Sequence, residues 1–314
     1  MLFEWFLILV GFLLLFIGGE GLVKGSVGLA GRFNVSTLVV GLTVIAFGTS
    51  GPELVVSVRA AIESVGGIAV GNVVGSNIMN IALILGICAL IAPMPFSKRV
   101  RRFDLPVLTG ATVLLFGLLW NGSLSRLEGM LLFSCLILYT AVNLFTAKKT
   151  GSPIARKLVE EEMGERLPGL PTASALVLLG FAALYYGSKY MVDGAVAVAR
   201  DLGCSQTVIG LTVVALGTSL PELVTSVMAT LKRETDLAVG TVIGSCVFNI
   251  LSILGIASMI KPVRATGMGW VDVAFLLLVT LALLPIAFFG RRMNRLEGFF
   301  ILTSYGGYLV WLLH

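Results

Sequence analysis

Histidine is almost missing from this chain: of 314 residues one is His, and it is the last, His314. A relay of imidazoles carrying protons through the interior is thereby excluded. Charge is scarce too, with Asp, Glu, Lys and Arg making up 12% of the chain, about half the share of a soluble domain. The four cysteines, Cys88, Cys135, Cys204 and Cys246, stand singly with no Cys-x-x-Cys spacing. They read as small buried side chains, not as a zinc site or a disulfide framework. No Gly-x-x-x-x-Gly-Lys-Ser/Thr loop occurs, so no nucleotide is expected. No nucleophile, base and metal set lies at matching depth, so no enzyme and no cofactor is expected either. What the chain has in quantity is apolar surface: 57% of residues are hydrophobic and the mean hydropathy is +1.00. It reads as a polytopic membrane protein whose surroundings are the lipid bilayer. The net charge of +5 sits in loops between apolar runs, where topology asks for it, and implies no nucleic acid.

Apolar runs fall at about 3–28, 37–62, 68–92, 104–120, 127–146, 173–199, 206–231, 237–260, 270–289 and 296–313, each near the length that a bilayer requires. The first lacks a basic flank and continues to Val27, which reads as a retained span and not a signal peptide. The longest polar interruption, Lys148 to Pro171, is the natural linker. Adding 169 to a number before it finds a counterpart after it: Glu53 and Glu222, Ser76 and Ser245, Asn80 and Asn249, Pro93 and Pro262. The same offset carries Arg126-Leu-Glu-Gly129 onto Arg295-Leu-Glu-Gly298. Five spans per copy is an odd number, so the copies enter the membrane from opposite sides. The expected fold is an all-α polytopic membrane protein of ten transmembrane helices, two inverted five-helix repeats with broken second and seventh helices. Residues 1–147 form the first repeat, 148–171 the linker and 172–314 the second repeat. Of the Lys and Arg residues in loops, fifteen fall on the side of the linker and five on the other. The positive-inside rule then makes the linker cytoplasmic and both termini external.

The chain writes one stretch twice: Gly41 to Val58 and Gly210 to Val227 are identical at 14 of 18 positions. Each copy interrupts an apolar helix pattern with Gly-Thr-Ser-x-Pro-Glu. A carboxylate at membrane depth usually faces a polar pathway, and irregular backbone there is tolerated only inside protein or beside water. Pro52 and Pro221 lack an amide hydrogen and crowd the carbonyls of Gly48 and Gly217. Oxygens from about Ala46 to Thr49 and from Ala215 to Thr218 are thus free to face a cation, as in the broken helices of transporters. Thr49, Glu53 and Ser57 share one helical face, as do Thr218, Glu222 and Ser226.

A second shared motif runs from Ala69 to Ile87 and from Ala238 to Ile256, identical at 12 of 19 positions. It keeps Ser76 four residues from Asn80, and Ser245 four from Asn249, so each pair lines one face. Hydroxyl, amide and carboxylate oxygens are hard ligands suited to Ca²⁺ or Na⁺. Asn77 lies in the motif as well, but its counterpart is Cys246, which argues against it as a ligand. Glu53 and Glu222 together carry two negative charges when ionised, matching one Ca²⁺ or two Na⁺. Either load is neutral and both together are not, which is the mutual exclusion that an exchanger needs. Gly41, Gly48, Gly71 and Gly75 with their counterparts are expected to let helices approach closely.

These segments resemble the paired alpha repeats of the cation/Ca²⁺ exchanger superfamily, in its prokaryotic Na⁺/Ca²⁺ exchanger-like branch, and the resemblance spans the whole chain. It implies that Glu53 and Glu222 bind Ca²⁺ together with the carbonyls of Thr49 and Thr218. Ala46, Ser50 and Ser76 would form one Na⁺ site, and Ala215, Ser219 and Ser245 its symmetry mate. Ca²⁺ and Na⁺ would be bound as transported substrates. Proton-coupled relatives typically carry Gly-Asn-x-x-Glu at the breaks, which this sequence lacks. Many members place Asp where Asn80 or Asn249 stands here, so this site has two carboxylates only. The implied function is Na⁺/Ca²⁺ antiport by alternating access in the cell membrane of a prokaryote, with the first and sixth spans as moving elements. The alternatives are a Ca²⁺/H⁺ exchanger in which Glu53 and Glu222 carry the protons and, more remotely, a passive cation channel.

Weaker features have simpler readings. Membrane serines often bond their own helix, so Ser57 and Ser226 stay outside the expected site. Asn80 and Asn249 could glue helices together, but their placement favours lining the site. Glu20 and Lys24 form an expected i,i+4 ion pair. The run Lys98 to Arg102 is a topological anchor, and Glu160 to Glu162 a solvated linker face.

Overall fold

The computed structural model of the chain describes residues 2–33, 35–147, 168–201, 215–265 and 269–313. The expected linker lies outside these residues up to position 167, as do residues 202–214 of the expected sixth to seventh spans, Cys204 and His314. The first repeat runs α1 (Leu2–Phe33), α2 (Thr37–Thr49), α3 (Gly51–Ile62), α4 (Gly66–Ile91), β1 (Met94–Pro95), α5 (Val100–Asn121), β2 (Ser123–Leu124) and α6 (Arg126–Ala147). The second runs α7 (Leu170–Asp201), α8 (Ala215–Thr218), α9 (Leu220–Leu231), α10 (Thr235–Ile260), β3 (Val263–Arg264), α11 (Trp270–Gly290), β4 (Arg292–Met293) and α12 (Arg295–Leu313). Among the described residues seven helices are long and apolar enough to cross a membrane, and the bent pair α2/α3 makes an eighth. The expected seventh span is described only from Ala215 onward, as α8 and α9.

The break at Ser50 bends α2 against α3 by 47°. Its cause is local: Pro52 occupies the first turn of α3, where a missing amide hydrogen is tolerated but the preceding helix cannot run through. Pro221 sits in the first turn of α9 in the same way.

The inverted repeat is visible in the tertiary contacts. β1 pairs with β4 and β2 with β3, both antiparallel. The offset of 169 maps β1 onto β3 and β2 onto β4, so each pair is the image of the other. Arg126 donates to the carbonyl of Ile260 at 3.3 Å and Arg295 to that of Ile91 at 3.3 Å, again partners related by the offset. A Cβ on Gly86 would lie 3.2 Å from the Gly298 carbonyl, and one on Gly255 3.3 Å from that of Gly129.

At the centre lie α4 and α10. The apolar stretch of α10 is buried throughout, and most of that of α4 is. Their Gly-, Ala- and Ser-rich sequences permit this, because small side chains let neighbouring backbones come near. Gly41, Gly240 and Gly244 fulfil the expected close approach: a Cβ would meet Leu237 O at 2.7 Å, Leu38 O at 2.6 Å and Leu42 Cα at 2.8 Å. Gly71 and Gly75 meet nothing within 4 Å among the described residues.

The longest helices, α1 and α7, pack against each other. Glycines recur every seven residues on both, as Gly11, Gly18 and Gly25 and as Gly180, Gly187 and Gly194. A Cβ on Gly18 would lie 2.9 Å from Leu184 N, and one on Gly187 2.8 Å from Leu15 N. The backbones therefore touch along the seam, while Phe12, Phe16, Leu178 and Leu179 turn outward. Glu20, expected to pair with Lys24 one turn on, reaches across to Lys232 Nζ at the end of α9, 2.9 Å away.

Candidate functional site

Ser50-Gly-Pro-Glu53 and Ser219-Leu-Pro-Glu222 both have the spacing of a capping box, in which a serine and the glutamate three residues on close the start of a helix. Both serines occupy the cap positions of α3 and α9, yet neither hydroxyl caps its own helix. The pairing is crossed between the repeats instead. Ser50 Oγ donates to Glu222 Oε1 at 2.9 Å, and Ser219 Oγ donates to Glu53 Oε1 at 3.2 Å. Each carboxylate belongs to one repeat and is held by the other. Glu53 is 1% exposed and Glu222 0%. Both stand in the first turn of a helix, where the unpaired amide groups favour negative charge.

The second oxygens, Glu53 Oε2 and Glu222 Oε2, are buried without a partner. So are Asn80 Oδ1, Asn249 Oδ1 and Ser245 Oγ. These are five buried oxygens on four spans, all from residues that the sequence singles out. A neutral acceptor left unpaired costs about 1–3 kcal/mol and a charged one more. Such a cluster is therefore poorly matched to an apolar interior and well matched to a hard cation.

Ser76 is buried, its oxygen 3.5 Å from Ser219 Oγ, so that hydroxyl stands between Glu53 and α4. Thr49 is buried and its hydroxyl donates to Ile45 O at 3.0 Å, which leaves its own carbonyl as the group to offer. Ala46 is buried, and its carbonyl accepts from Ser50 N at 3.1 Å. Thr218 is half-buried at the end of α8, and Ala215 opens that helix. The freed carbonyl of Gly217 does not stay free: Ser188 Oγ, on α7, donates to it.

Sequence reasoning missed Asn72 and Thr225 around these residues and set Asn77 aside as a ligand. Asn72 donates to Glu53 O at 3.2 Å and to Ser57 Oγ at 2.9 Å, which clips α3 to α4 and occupies Ser57. Asn77 donates to the carbonyl of Cys246 and accepts from Asn249 Nδ2, at 3.2 and 3.1 Å. Thr225, whose counterpart is Val56, is buried with its hydroxyl unpaired, as is Ser226. For Asn72 and Asn77 the available signal was an Asn in an apolar helix, where polar side chains seldom lack a partner.

Two of the irregular helix segments carry the asparagines. The backbone switches from α to π geometry at Met79–Ile84 and at Asn249–Leu254. Such one-turn widenings recur at functional sites. Among the described residues no group of three or more His, Cys, Asp and Glu could hold a metal, so a cation would rest on two carboxylates and neutral oxygens.

Comparison with known proteins agrees with this geometry. The family described as sodium/calcium exchanger protein matches residues 3–145 and 172–314, one match in each half. The chain is 39% identical to CaxA of Alkalimonas amylolytica over 98% of both chains. It is 33% identical to the sodium/calcium exchanger MaX1 of Methanosarcina acetivorans over 99% of both. The sodium-calcium exchanger NCX_Mj, in crystals soaked with 2.5 mM Na⁺ and 0.1 mM Ca²⁺, superposes with a TM-score of 0.85 at 30% identity, covering 99% of this chain and 98% of that one. Inverted halves, central helices with unpaired oxygens and a full-length match all point one way: the chain belongs to the sodium/calcium exchanger family, integral membrane antiporters of Ca²⁺ and a second cation.

Proposed function

We propose that the chain exchanges Na⁺ for Ca²⁺ by alternating access, with Glu53 and Glu222 as the shared carboxylates of a central site. The observation that carries this is the crossed pairing: each glutamate is oriented by the serine of the opposite repeat and keeps one oxygen unpaired. A cation bridging the two oxygens ties the halves together, and its release frees them. Asn80 and Asn249 add neutral oxygens. The carbonyls of Thr49 and Thr218 join the glutamates around Ca²⁺, while Ala46, Ser50 and Ser76 line a Na⁺ position on one side, and Ala215, Ser219 and Ser245 its mate on the other. With two carboxylates, one Ca²⁺ or two Na⁺ neutralise the central site and a mixed load overcharges it. Because Coulomb energies at low dielectric reach several kcal/mol, the loads exclude one another.

The α1/α7 pair is the moving element in this reading, one backbone-tight unit lying against both breaks through Gly19, Phe181, Ser188 and Val192. By the count of basic residues the linker 148–171 faces the cytoplasm and both termini face outward; the similarity to proteins of Alkalimonas and Methanosarcina supports the cell membrane of a prokaryote as its place. The halves 1–147 and 172–314 are the two repeats, and each contributes one of the two moving helices.

The test is radioactive Ca²⁺ uptake into proteoliposomes loaded with Na⁺ and diluted into Na⁺-free buffer, beside vesicles given only an outward proton gradient. Uptake driven by Na⁺ is expected. Uptake driven by protons alone replaces this reading with Ca²⁺/H⁺ exchange, and uptake with neither gradient indicates a passive channel.

A further inference from the structure

Positions 77 and 246 correspond under the offset of 169, and they touch. Asn77 Nδ2 donates to the Cys246 carbonyl at 3.2 Å, and Cys246 Sγ lies 4.0 Å from the Asn77 carbonyl. The pseudo-twofold axis of the repeat therefore passes between these two residues, both fully buried. A backbone carbonyl can only accept. The Asn77 side chain must turn its NH₂ toward it and its oxygen the other way. That oxygen accepts from Asn249 Nδ2 at 3.1 Å. Asn249 in turn must present its own oxygen away from Asn77, on the helical face it shares with Ser245 one turn earlier. Asn249 Oδ1 and Ser245 Oγ are both among the buried unpaired oxygens.

The starting carbonyl lies at the entry to the π segment and takes Asn77 as a donor beside a backbone N–H of its own helix. Asn249 N–H is shared between Ser245 and Cys246 carbonyls where α10 switches from α to π geometry. On the other side of the axis the same arrangement is weaker, since the Asn80 side chain meets the Cys246 thiol and sulfur is a poor acceptor.

We propose that Asn77 is a positioning residue for cation binding: anchored on the Cys246 carbonyl, it fixes Asn249 so that an oxygen and not an NH₂ faces the cation. The inference rests on the antiporter reading. It explains why a site with an amide at 249 needs Asn77 from the opposite repeat: a carboxylate offers oxygen whichever way it turns, whereas an amide has to be oriented.

The experiment is a Ca²⁺ titration of the purified full chain, read as radioactive Ca²⁺ bound, for Asn77→Ala in three backgrounds: Asn249, Asn249→Asp and Asn249→Ala. With Asn249 present, Asn77→Ala is expected to raise half-saturating Ca²⁺ about fivefold to tenfold, the worth of one orienting hydrogen bond. In the other two backgrounds the expected change is less than about twofold, because neither contains an amide to orient. Full-sized loss in either background, or no loss with Asn249 present, overturns the proposal and leaves the antiporter reading standing. A parent chain that binds no Ca²⁺ overturns both. Should Asn77→Ala not elute as a single species, Asn77→Ser, too short to reach both partners, gives the same reading.

Discussion

Gly48 and Gly217 hold the same place in the two repeats, four residues ahead of the prolines, and their surroundings differ. The Gly217 carbonyl is taken by Ser188 Oγ of α7. The counterpart of Ser188 is Gly19, which has no side chain to donate and lies against Val224 and Met228 of α9. Elsewhere the copies agree closely: the crossed serine–glutamate bonds, the two strand pairs and the two arginine-to-carbonyl bonds all repeat. Divergence falls where the broken helices meet α1 and α7 and at the Asn77–Cys246 pair on the axis, and agreement at the glutamates, the strand pairs and the arginine bonds. A single cation bridging both carboxylates would constrain the two halves alike, whereas nothing requires two long helices to grip their neighbours equally.

The largest expected effect probes the shared part. Glu53→Gln and Glu222→Gln each remove one of two charges from a buried site, a loss of about 2–5 kcal/mol for truncating one partner of a desolvated pair. Na⁺-driven Ca²⁺ uptake should fall by at least about thirtyfold for each. Near-equal losses support a site split evenly between the repeats. Wild-type uptake in one variant would show that its carboxylate is not a ligand.

Next is the seam between α1 and α7. Gly18→Leu and Gly187→Leu should each destabilise the fold by about 1–3 kcal/mol, because the new side chain meets backbone and not a movable tip. Gly51→Ala is the contrast, since a Cβ there meets nothing within 4 Å. Thermal unfolding in detergent distinguishes them. Equal melting temperatures for all three would mean that the seam gives way easily and that α1 and α7 need not move together.

Much of this fold is legible in the amino-acid order. The offset of 169, the odd number of apolar runs in each copy and the two proline breaks lead to inverted halves, and Glu53, Glu222, Asn80 and Asn249 stand out as polar groups at membrane depth. What was hidden is the pairing. Ser50 and Glu53 spell a local capping box, and only the approach of the second repeat, 172 residues on, makes Glu222 the partner of Ser50. The same holds for Asn77 and Asn249, also 172 apart, and for Glu20 and Lys232, 212 apart. The π segments have no compositional mark, since Met-Asn-Ile-Ala-Leu-Ile reads as ordinary helix. Helical period fixes which face a residue lies on; it does not say which helix faces it.

A smaller effect tests the difference between the repeats directly. Ser188→Ala leaves the Gly217 carbonyl without its donor, at a cost of about 1–2 kcal/mol for an unsatisfied buried acceptor. Ser188→Thr keeps the hydroxyl and should stay close to wild type. Both are read by thermal unfolding and by Ca²⁺ uptake. If α7 must release Gly217 during the cycle, Ser188→Ala loses stability without losing turnover. An equal drop for Thr and Ala would assign the effect to packing and remove the bond as the reason the two breaks differ.

The smallest effect lies at one more pair of counterparts. Gly122 and Arg291 both adopt left-handed backbone, with φ of 73° and 58°. Glycine does so freely, whereas a residue with a Cβ is strained there by about 1 kcal/mol. Arg291→Gly relieves that strain but adds freedom to the unfolded chain, so the net gain is a few tenths of a kcal/mol up to about 1 kcal/mol. Gly122→Ala imposes the strain, which outweighs the freedom it removes from the unfolded chain, and should lose about 1 kcal/mol. The two variants thus move the melting temperature in opposite directions from one geometric fact. Arg291 Cα is followed at once by β4, which pairs with β1, so destabilisation by Arg291→Gly would mean that the arginine side chain contributes more to this corner than its backbone costs, and that the two corners, alike in φ, are stabilised by different means.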